Sequence, residues 1–187
     1  MRVSAMTAAA ATLLVLGGAA CSQPTSTVAT TDTPGQLTRA NTEEERAHLA
    51  NFDDLDFNVY TGAHWDQFSR SHAENIVVHY PDGSTTTGLP AHLDALRPQF
   101  AFAPDTHIDE HPIRIAQGDM TAVTGVLKGT FTQPMVLPNG QTIQPTGRAF
   151  NVSMATIARW ENDVMVEEWL YWDNQTFMQQ IRLAPAQ

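Results

Sequence analysis

Residues 164–173, with the sequence VMVEEWLYWD, decide the fold of this chain, and NQTFMQQI follows them directly at 174–181. The first stretch is rich in β-branched and aromatic residues, which is typical of a β-strand, whereas the second is typical of a short helix. Asp173 stands where the predicted strand meets the predicted helix. A carboxylate there would lie at the mouth of an apolar pocket, walled by the aromatic residues of the strand, which are Trp169, Tyr171 and Trp172.

Helical patterns precede this strand, and further strand patterns lie between them and it. Thr42 and Glu45 have the spacing of a capping box, which predicts a helix from residue 43 to about 59. Apolar spacing predicts two more helices, over 65–72 and 89–100. Short runs between turn sequences predict five strands, over 75–80, 106–117, 120–132, 148–160 and 164–172. This order predicts the α+β class, with N-terminal helices packed in a strongly curved, cone-like antiparallel sheet and a pocket between the layers.

The N-terminal segment has a different character from this folded domain. Residues 1–20 contain Arg2 followed by an uncharged, apolar stretch, which predicts a signal peptide. Cys21, the single cysteine, follows small residues and is similar to the lipidated cysteine of bacterial lipoproteins. The alternative is an ordinary secretory peptide with an incidental cysteine. With Cys21 lipidated, we expect residues 21–40 to form the lipidated N-terminus and a flexible tether, and residues 41–187 to form one folded domain.

The charge of the chain bounds its partners and its location. Ten Lys and Arg oppose twenty Asp and Glu, for a formal charge of −10. Such an acidic chain is not expected to bind nucleic acid or an anionic membrane surface by electrostatic attraction. We therefore expect contact with a membrane only through an N-terminal lipid on Cys21. This places the protein in the bacterial cell envelope, or, if the cysteine is not modified, makes it secreted or periplasmic.

Four blocks of sequence resemble the SnoaL-like polyketide cyclase family of the NTF2-like superfamily, whose members are also called ester cyclases. The blocks are VVHYPDG at 77–83, EHPIRI at 110–115, TFTQPM at 130–135 and EEWLYWDNQ at 167–175. The resemblance implies a cone with a central pocket, a homodimer formed through the sheet, and no metal or organic cofactor. The characterised cyclases close a ring by an intramolecular aldol reaction, with an aspartate near the end of the last strand as general base. Asp173 is the residue here that matches this description.

The chemistry of enolate formation asks for the same kind of site. A base that removes a proton next to a carbonyl must be desolvated enough to raise its pKa, and a donor must stabilise the enolate oxygen. Asp173 is the predicted base, with capping of the last helix as its alternative role. His79 and His111 are the further catalytic candidates, and His79 has the alternative role of a hydrogen-bonded core histidine. Predicted ligand-contacting residues are Trp169, Tyr171, Trp172, Tyr80, Asn151 and Met154.

Two other patterns involve histidine and glutamate residues. His107 and His111 would lie about 13 Å apart on a strand, too far to share one metal ion, so no metal site is predicted from them. Glu167 and Glu168 must point to opposite faces of their strand. Sequence alone leaves open which of the two enters the pocket.

Three functions remain open from the sequence. The first is an envelope-anchored enzyme, of the cofactor-independent cyclase, isomerase or lyase type, that acts on a small, largely apolar carbonyl compound. The second is a lipoprotein that binds a small ligand without catalysis, and the third is an interaction module that assembles through its sheet. A fold of this kind hosts many chemistries, so the site has to decide among them.

Overall fold

The computed structural model describes residues 40–137 and 139–184, and the predicted signal peptide, Cys21 and nearly all of the predicted tether lie outside these residues. The described chain has the predicted α+β architecture, with few helices and a curved sheet. The helices are α1 (Glu43–Asp54), a π-helical segment (Leu55–Tyr60), a 3-10 helix (Trp65–Arg70), α2 (Leu89–Phe102) and α3 (Asn174–Gln180). The strands are β1 (His72–His79), β2 (Thr85–Thr87), β3 (His107–Ile108), β4 (Arg114–Gln117), β5 (Met120–Thr130), β6 (Met135–Val136), β7 (Thr142–Ile143), β8 (Ala149–Glu161) and β9 (Val164–Trp172).

Seven strands form the main sheet, in the order β2-β1-β9-β8-β5-β3, with β4 also paired to β5. All neighbours are antiparallel except β1 and β9, which run parallel. Strand β9, which has the sequence VMVEEWLYW, therefore lies between β1 and β8, the longest of the described strands. Strands β6 and β7 form a separate two-stranded hairpin.

The first helix begins as the sequence predicts and continues into an unusual segment. Thr42 and Glu45 form both hydrogen bonds of a capping box. After Asp54 the chain passes into the π-helical segment, in which the amide of Thr61 donates to the carbonyl of Asp56. The Thr61 hydroxyl also accepts from the amide of Ile108, at 2.9 Å, and this ties the π-helical segment to β3. Single π turns inside helices occur frequently at functional sites.

Two groups of buried apolar side chains fill the inner face of the sheet. The larger packs the first helices against β1, β8 and β9 and includes Phe52 and Trp160. The smaller gathers around Phe131 and Phe150 near α3. Trp172 packs against both groups, so the end of β9 joins them.

Two details of the strands differ from the sequence prediction. The predicted strand over 106–117 is two short strands, because Pro112 cannot donate a ladder hydrogen bond and the chain leaves the edge of the sheet there. In β9 the pairing shifts between Met165, opposite Trp160, and Glu167, opposite Arg159. This bulge at Val166 places both Met165 and Glu168 in the interior, three residues apart, which a strict period of two does not allow.

None of the helices within residues 40–137 and 139–184 is long and apolar enough to cross a membrane.

Candidate functional site

Asp173 is exposed and serves as the N-cap of α3. Its Oδ1 accepts from the amide of Thr176 at 2.9 Å, and its Oδ2 accepts from the Thr176 hydroxyl at 2.5 Å. The hydrogen bond from the Thr176 hydroxyl has the larger effect and the one from its amide the smaller, and together they hold the pKa of Asp173 below its ordinary value. The prediction that this carboxylate lies in a desolvated environment is therefore wrong. The hydrogen bonds of Asp173 fit its alternative role as a helix cap.

His79 lies on the outer face of the sheet, away from the core. Its Nε2 is 2.9 Å from Oε1 of Glu167, and its ring stacks on Trp169 with centroids 5.3 Å apart. Tyr171 is on the same face and 49% exposed. His79, Trp169 and Tyr171 were predicted to be residues of the pocket. The alternation of β9 instead turns Glu167, Trp169 and Tyr171 outward and leaves Glu168 and Leu170 inside.

The remaining predicted ligand contacts are divided between the two sides of the sheet. Trp172 and Met154 are half-buried neighbours across β8 and β9. Tyr80 is also half-buried, with its hydroxyl 2.9 Å from Nδ1 of His92. Asn151 is exposed, and its backbone amide and carbonyl are hydrogen-bonded to the side chain of Gln180. The structure thus keeps three of these residues near the interior and places Asn151 outside.

His111 is the predicted catalytic residue that does lie inside. It occupies the break between β3 and β4, and its side chain is 1% exposed. Its Nδ1 lies 2.7 Å from Oδ1 of Asp53 and its Nε2 lies 2.9 Å from Oδ2 of Asp56. Arg114 holds the other oxygen of Asp53 at 2.6 Å. His111 thus connects an aspartate that is paired with arginine to one buried in the core.

The two carboxylates around His111 have different environments. Burial raises the pKa of Asp56 more than its hydrogen bond to His111 lowers it. Burial would lower the pKa of His111, but the hydrogen bonds to Asp56 and Asp53 outweigh it and raise that pKa. Asp56 is consequently a stronger base than an exposed aspartate, and it has a proton donor in direct contact. A pair of groups with these properties can take a proton and return it.

A second polar cluster lies deeper in the same interior, and it consists of His72, His92 and Glu168. Their donor atoms all lie within 4.8 Å of one another, and all three residues are buried. Burial lowers the pKa of His92 to about 4. Burial acts to raise the pKa of Glu168, but the imidazoles of His72 and His92 outweigh it and hold that pKa below its ordinary value. Leu55 beside Asp56 and Leu170 near Glu168 belong to the same apolar core, so the two clusters lie in one buried region.

Two surface depressions are found on the described parts of the chain. One, of 510 Å³, runs beside α2 and is lined by Ser69, Glu74, Leu89, Pro90, Leu93 and Arg97. The other, of 240 Å³, is on the β5 and β8 side and includes His107 and Lys128. Neither depression has Asp56, His111 or Glu168 among its lining residues. The side chains of Asp56, His111 and Glu168 are 12%, 1% and 5% exposed, so these groups are packed beneath the surface.

Four residues of these two clusters were not predicted as site residues from the sequence: Asp53, Asp56, His72 and His92. Asp53 lies in the last turn of α1 and Asp56 in the π-helical segment that follows it, and no motif spacing signals that both contact His111. His72 and His92 come from different elements with no motif spacing between them. The one available signal was Glu168, a charged residue inside an apolar strand, whose inward direction depends on the bulge.

We predict that Asp173 contributes to stability through its cap and not to catalysis. Asp173→Ala should lower the melting temperature by roughly 2–5 °C, because the first amides of α3 lose their acceptor. Asp173→Ser should retain most of the wild-type melting temperature, since serine is also a good N-cap. Thermal unfolding followed by circular dichroism measures both, and equal losses in the two variants would contradict a capping role.

The family model for SnoaL-like polyketide cyclases matches residues 50–181 of this chain. No curated protein matches it. Among solved structures, the chain is similar to a candidate SnoaL-like polyketide cyclase from Jannaschia sp. CCS1. That match has a TM-score of 0.64 and 18% identity, and covers 79% of this chain and 99% of the other.

Two Streptomyces proteins have a similar fold. IdmH, a candidate polyketide cyclase from Streptomyces antibioticus, has a TM-score of 0.62 and 22% identity, with 72% of this chain and 98% of that chain covered. AclR, a candidate hydroxylase from Streptomyces galilaeus, has a TM-score of 0.64 and 14% identity, with 76% and 89% covered. At these identities the similarity shows the fold alone. The family match covers most of the chain, and the protein therefore belongs to the SnoaL-like polyketide cyclase family, with the NTF2-like fold that suggests binding of small molecules.

Proposed function

We propose that this protein binds a small, largely apolar carbonyl compound inside its cone and transfers a proton on it, with Asp56 as general base and His111 as the adjoining proton donor. The observation that carries the proposal is the contact of both ring nitrogens of His111 with carboxylates, one of which is buried and has a raised pKa. This would be an isomerase-type or cyclase-type reaction that needs proton transfer at a carbon next to a carbonyl.

The burial of Asp56 supports its role as the base. Removing a proton from such a carbon needs a carboxylate more basic than the ordinary aspartate, and Asp56 gains this property from desolvation. Asp173, by contrast, is exposed and has a lowered pKa. The general base that the sequence assigned to the end of β9 is therefore better assigned to the π-helical segment.

The surroundings of His111 support its role as partner of the base. The ring lies against Phe57, with centroids 4.4 Å apart, and edge-on to Phe52 at 5.6 Å. Asp53 orients the ring from Nδ1, which leaves Nε2 facing Asp56. In this position His111 can stabilise the ionised base and share the proton that Asp56 removes.

Exchange of α-protons for deuterium tests this assignment directly. We expect the wild-type protein to accelerate exchange in a panel of small β-keto esters and cyclic ketones in D₂O, followed by proton NMR. Asp56→Asn should slow the catalysed exchange by about 100-fold or more, because general acid–base catalysis typically contributes that much. Asp173→Asn is the matched control and should keep the wild-type rate.

Three results would contradict the assignment in different ways. Loss of exchange in Asp173→Asn with full activity in Asp56→Asn would return the base to Asp173. Equal rates in the wild type and both variants would show that Asp56 is not the base. Binding of these compounds without any acceleration would leave a ligand-binding protein without catalysis.

We further propose that the protein forms a homodimer through the outer face of its sheet. One cross-strand row on this face runs from Ile115 through Ala122 and Ile157 to Trp169. Tyr171 and Ala155 form the next row, and Ile115 and Tyr171 are exposed. An apolar stripe on an exposed sheet face is a typical contact surface between protein chains.

Ile157→Lys should convert the dimer into a monomer, because it places a charge in the middle of the stripe without touching the core. Asn151→Lys is the control, since Asn151 is exposed on the same face of the same strand but lies away from the stripe. Size-exclusion chromatography with light scattering gives the mass in solution. A monomeric wild type, or a dimer that survives Ile157→Lys, would refute this interface.

The sequence of residues 1–40 supports export and attachment to a membrane through a lipid on Cys21, and we propose this location for the protein. In its bacterial host, the wild type should be found with the membrane fraction and carry the mass of a lipid on its N-terminal residue. Cys21→Ser should move it to the soluble fraction. An unmodified, soluble wild type would instead support simple secretion.

A further inference from the structure

We propose that His72, His92 and Glu168 form a binding site for a divalent first-row transition-metal ion such as zinc. This inference goes beyond the proton transfer proposed for Asp56 and His111 and does not depend on it. It also departs from the family resemblance, which implied no metal.

Three separate elements bring the donor atoms together. His72 begins β1, His92 lies on α2, and Glu168 is turned inward by the bulge in β9. Nε2 of His72 is 3.9 Å from Oε2 of Glu168, and Nε2 of His92 is 3.7 Å from the same oxygen. The three side chains are 1%, 3% and 5% exposed, in the order His72, His92 and Glu168. The site is thus formed by long-range contacts in the folded protein.

The spacing of these atoms fits a shared ion better than it fits hydrogen bonds. A hydrogen bond between nitrogen and oxygen is about 2.7–3.2 Å long, and both contacts exceed this. Zinc binds imidazole nitrogen and carboxylate oxygen at about 2.0–2.2 Å, so two tetrahedral ligands lie about 3.4 Å apart. A closure of a few tenths of an ångström would bring each histidine nitrogen to this spacing from Oε2 of Glu168. The three donor atoms lie within 4.8 Å of one another, so the two histidine nitrogens would approach each other by at most about 1.4 Å to reach it.

Each histidine is held by its other ring nitrogen, as metal-bound histidines usually are. The Ser71 hydroxyl donates to the carbonyl of Phe68, so its oxygen accepts from Nδ1 of His72 at 2.9 Å. This hydrogen bond leaves a lone pair on Nε2 in the neutral ring, which faces the carboxylate. The Tyr80 hydroxyl holds Nδ1 of His92 at 2.9 Å and also contacts Thr86, to which it can donate.

The buried polar atoms of the cluster also favour a bound cation. Oε2 of Glu168 and Nε2 of His72 are buried polar atoms that have no hydrogen-bond partner within residues 40–137 and 139–184. A buried ionised carboxylate is costly unless a positive charge or hydrogen-bond donors compensate it. A cation between Oε2 and the two imidazoles would compensate the charge and use both unpartnered atoms at once.

The donor set indicates the class of ion. Two imidazole nitrogens with one carboxylate suit zinc and its first-row neighbours, whereas calcium and magnesium prefer oxygen ligands alone. Three protein ligands leave a position for water or a carbonyl oxygen in a tetrahedral ion, which is the arrangement of catalytic zinc sites. Such an ion would act as a Lewis acid in the same interior as Asp56.

Zinc binding by the untagged full-length chain tests the proposal. Because the site is buried, zinc is supplied both to the folded protein and during refolding from urea, and the bound metal is counted by mass spectrometry after gel filtration. We expect one zinc per chain, and an anomalous diffraction peak at the zinc edge between the three side chains. His92→Asn and Glu168→Gln should each weaken binding at least about 100-fold, and Tyr80→Phe about 10-fold or more.

Two matched variants separate this site from adventitious binding. His79→Asn removes the half-buried His79–Glu167 pair on the opposite face of the same two strands, and it should keep the bound zinc. Cys21→Ser removes the single thiol of the chain and should also keep it. The diffraction measurement uses the wild type alone, so it decides the question even if a ligand variant fails to fold.

The proposal is overturned if the wild type takes up no stoichiometric zinc by either route. It is equally overturned if the anomalous peak lies only at His79 and Glu167, or if His79→Asn or Cys21→Ser removes the ion. Loss of zinc in Glu168→Gln with unchanged α-proton exchange would support the metal site while leaving the roles of Asp56 and His111 untouched.

Discussion

Burial of carboxylates inside an apolar cone is the constraint on which the rest of the interior depends. Asp56 and Glu168 both lie among aromatic and aliphatic side chains, where an uncompensated charge costs several kcal/mol. Three histidines of the interior face these two groups: His111 contacts Asp56, while His72 and His92 face Glu168. These two carboxylates and three histidines are therefore polar groups that compensate one another, and they come from the π-helical segment, β1, α2, β9 and the segment between β3 and β4.

Much of the framework could be predicted from the sequence because it rests on local patterns. The capping box at Thr42, the apolar run of β9 and the turn at residues 161–163 depend only on near neighbours, and the α+β class follows from their order. The contacts between the residues of the site do not depend on near neighbours in the sequence. Asp56 and His111 are far apart in the sequence, and their contact depends on a π turn and on the interruption of an edge strand at Pro112.

Errors in the predicted site have a related origin. The sequence showed that a carboxylate follows an aromatic strand, but the direction of each side chain in β9 depends on one bulged residue, Val166. That bulge turns Glu168 inward, and the residues after it alternate so that Tyr171 faces outward. Asp173 then falls beyond the strand, at the start of α3. Because of this single irregularity in register, Trp169 and Tyr171, which were expected to line the pocket, lie on the outer face of the sheet.

The π-helical segment has a consequence for how this interior could have arisen and how it could be lost. A π turn contains one residue more than an α turn, so deletion of Leu55, which precedes Asp56, would restore regular α-helical hydrogen bonding. Residues on one side of the deletion would rotate by about 100° relative to those on the other. Asp53 would keep its direction while Asp56 and Thr61 changed theirs. One codon therefore separates a helix that presents a pair of carboxylates to His111 from one that presents a single carboxylate.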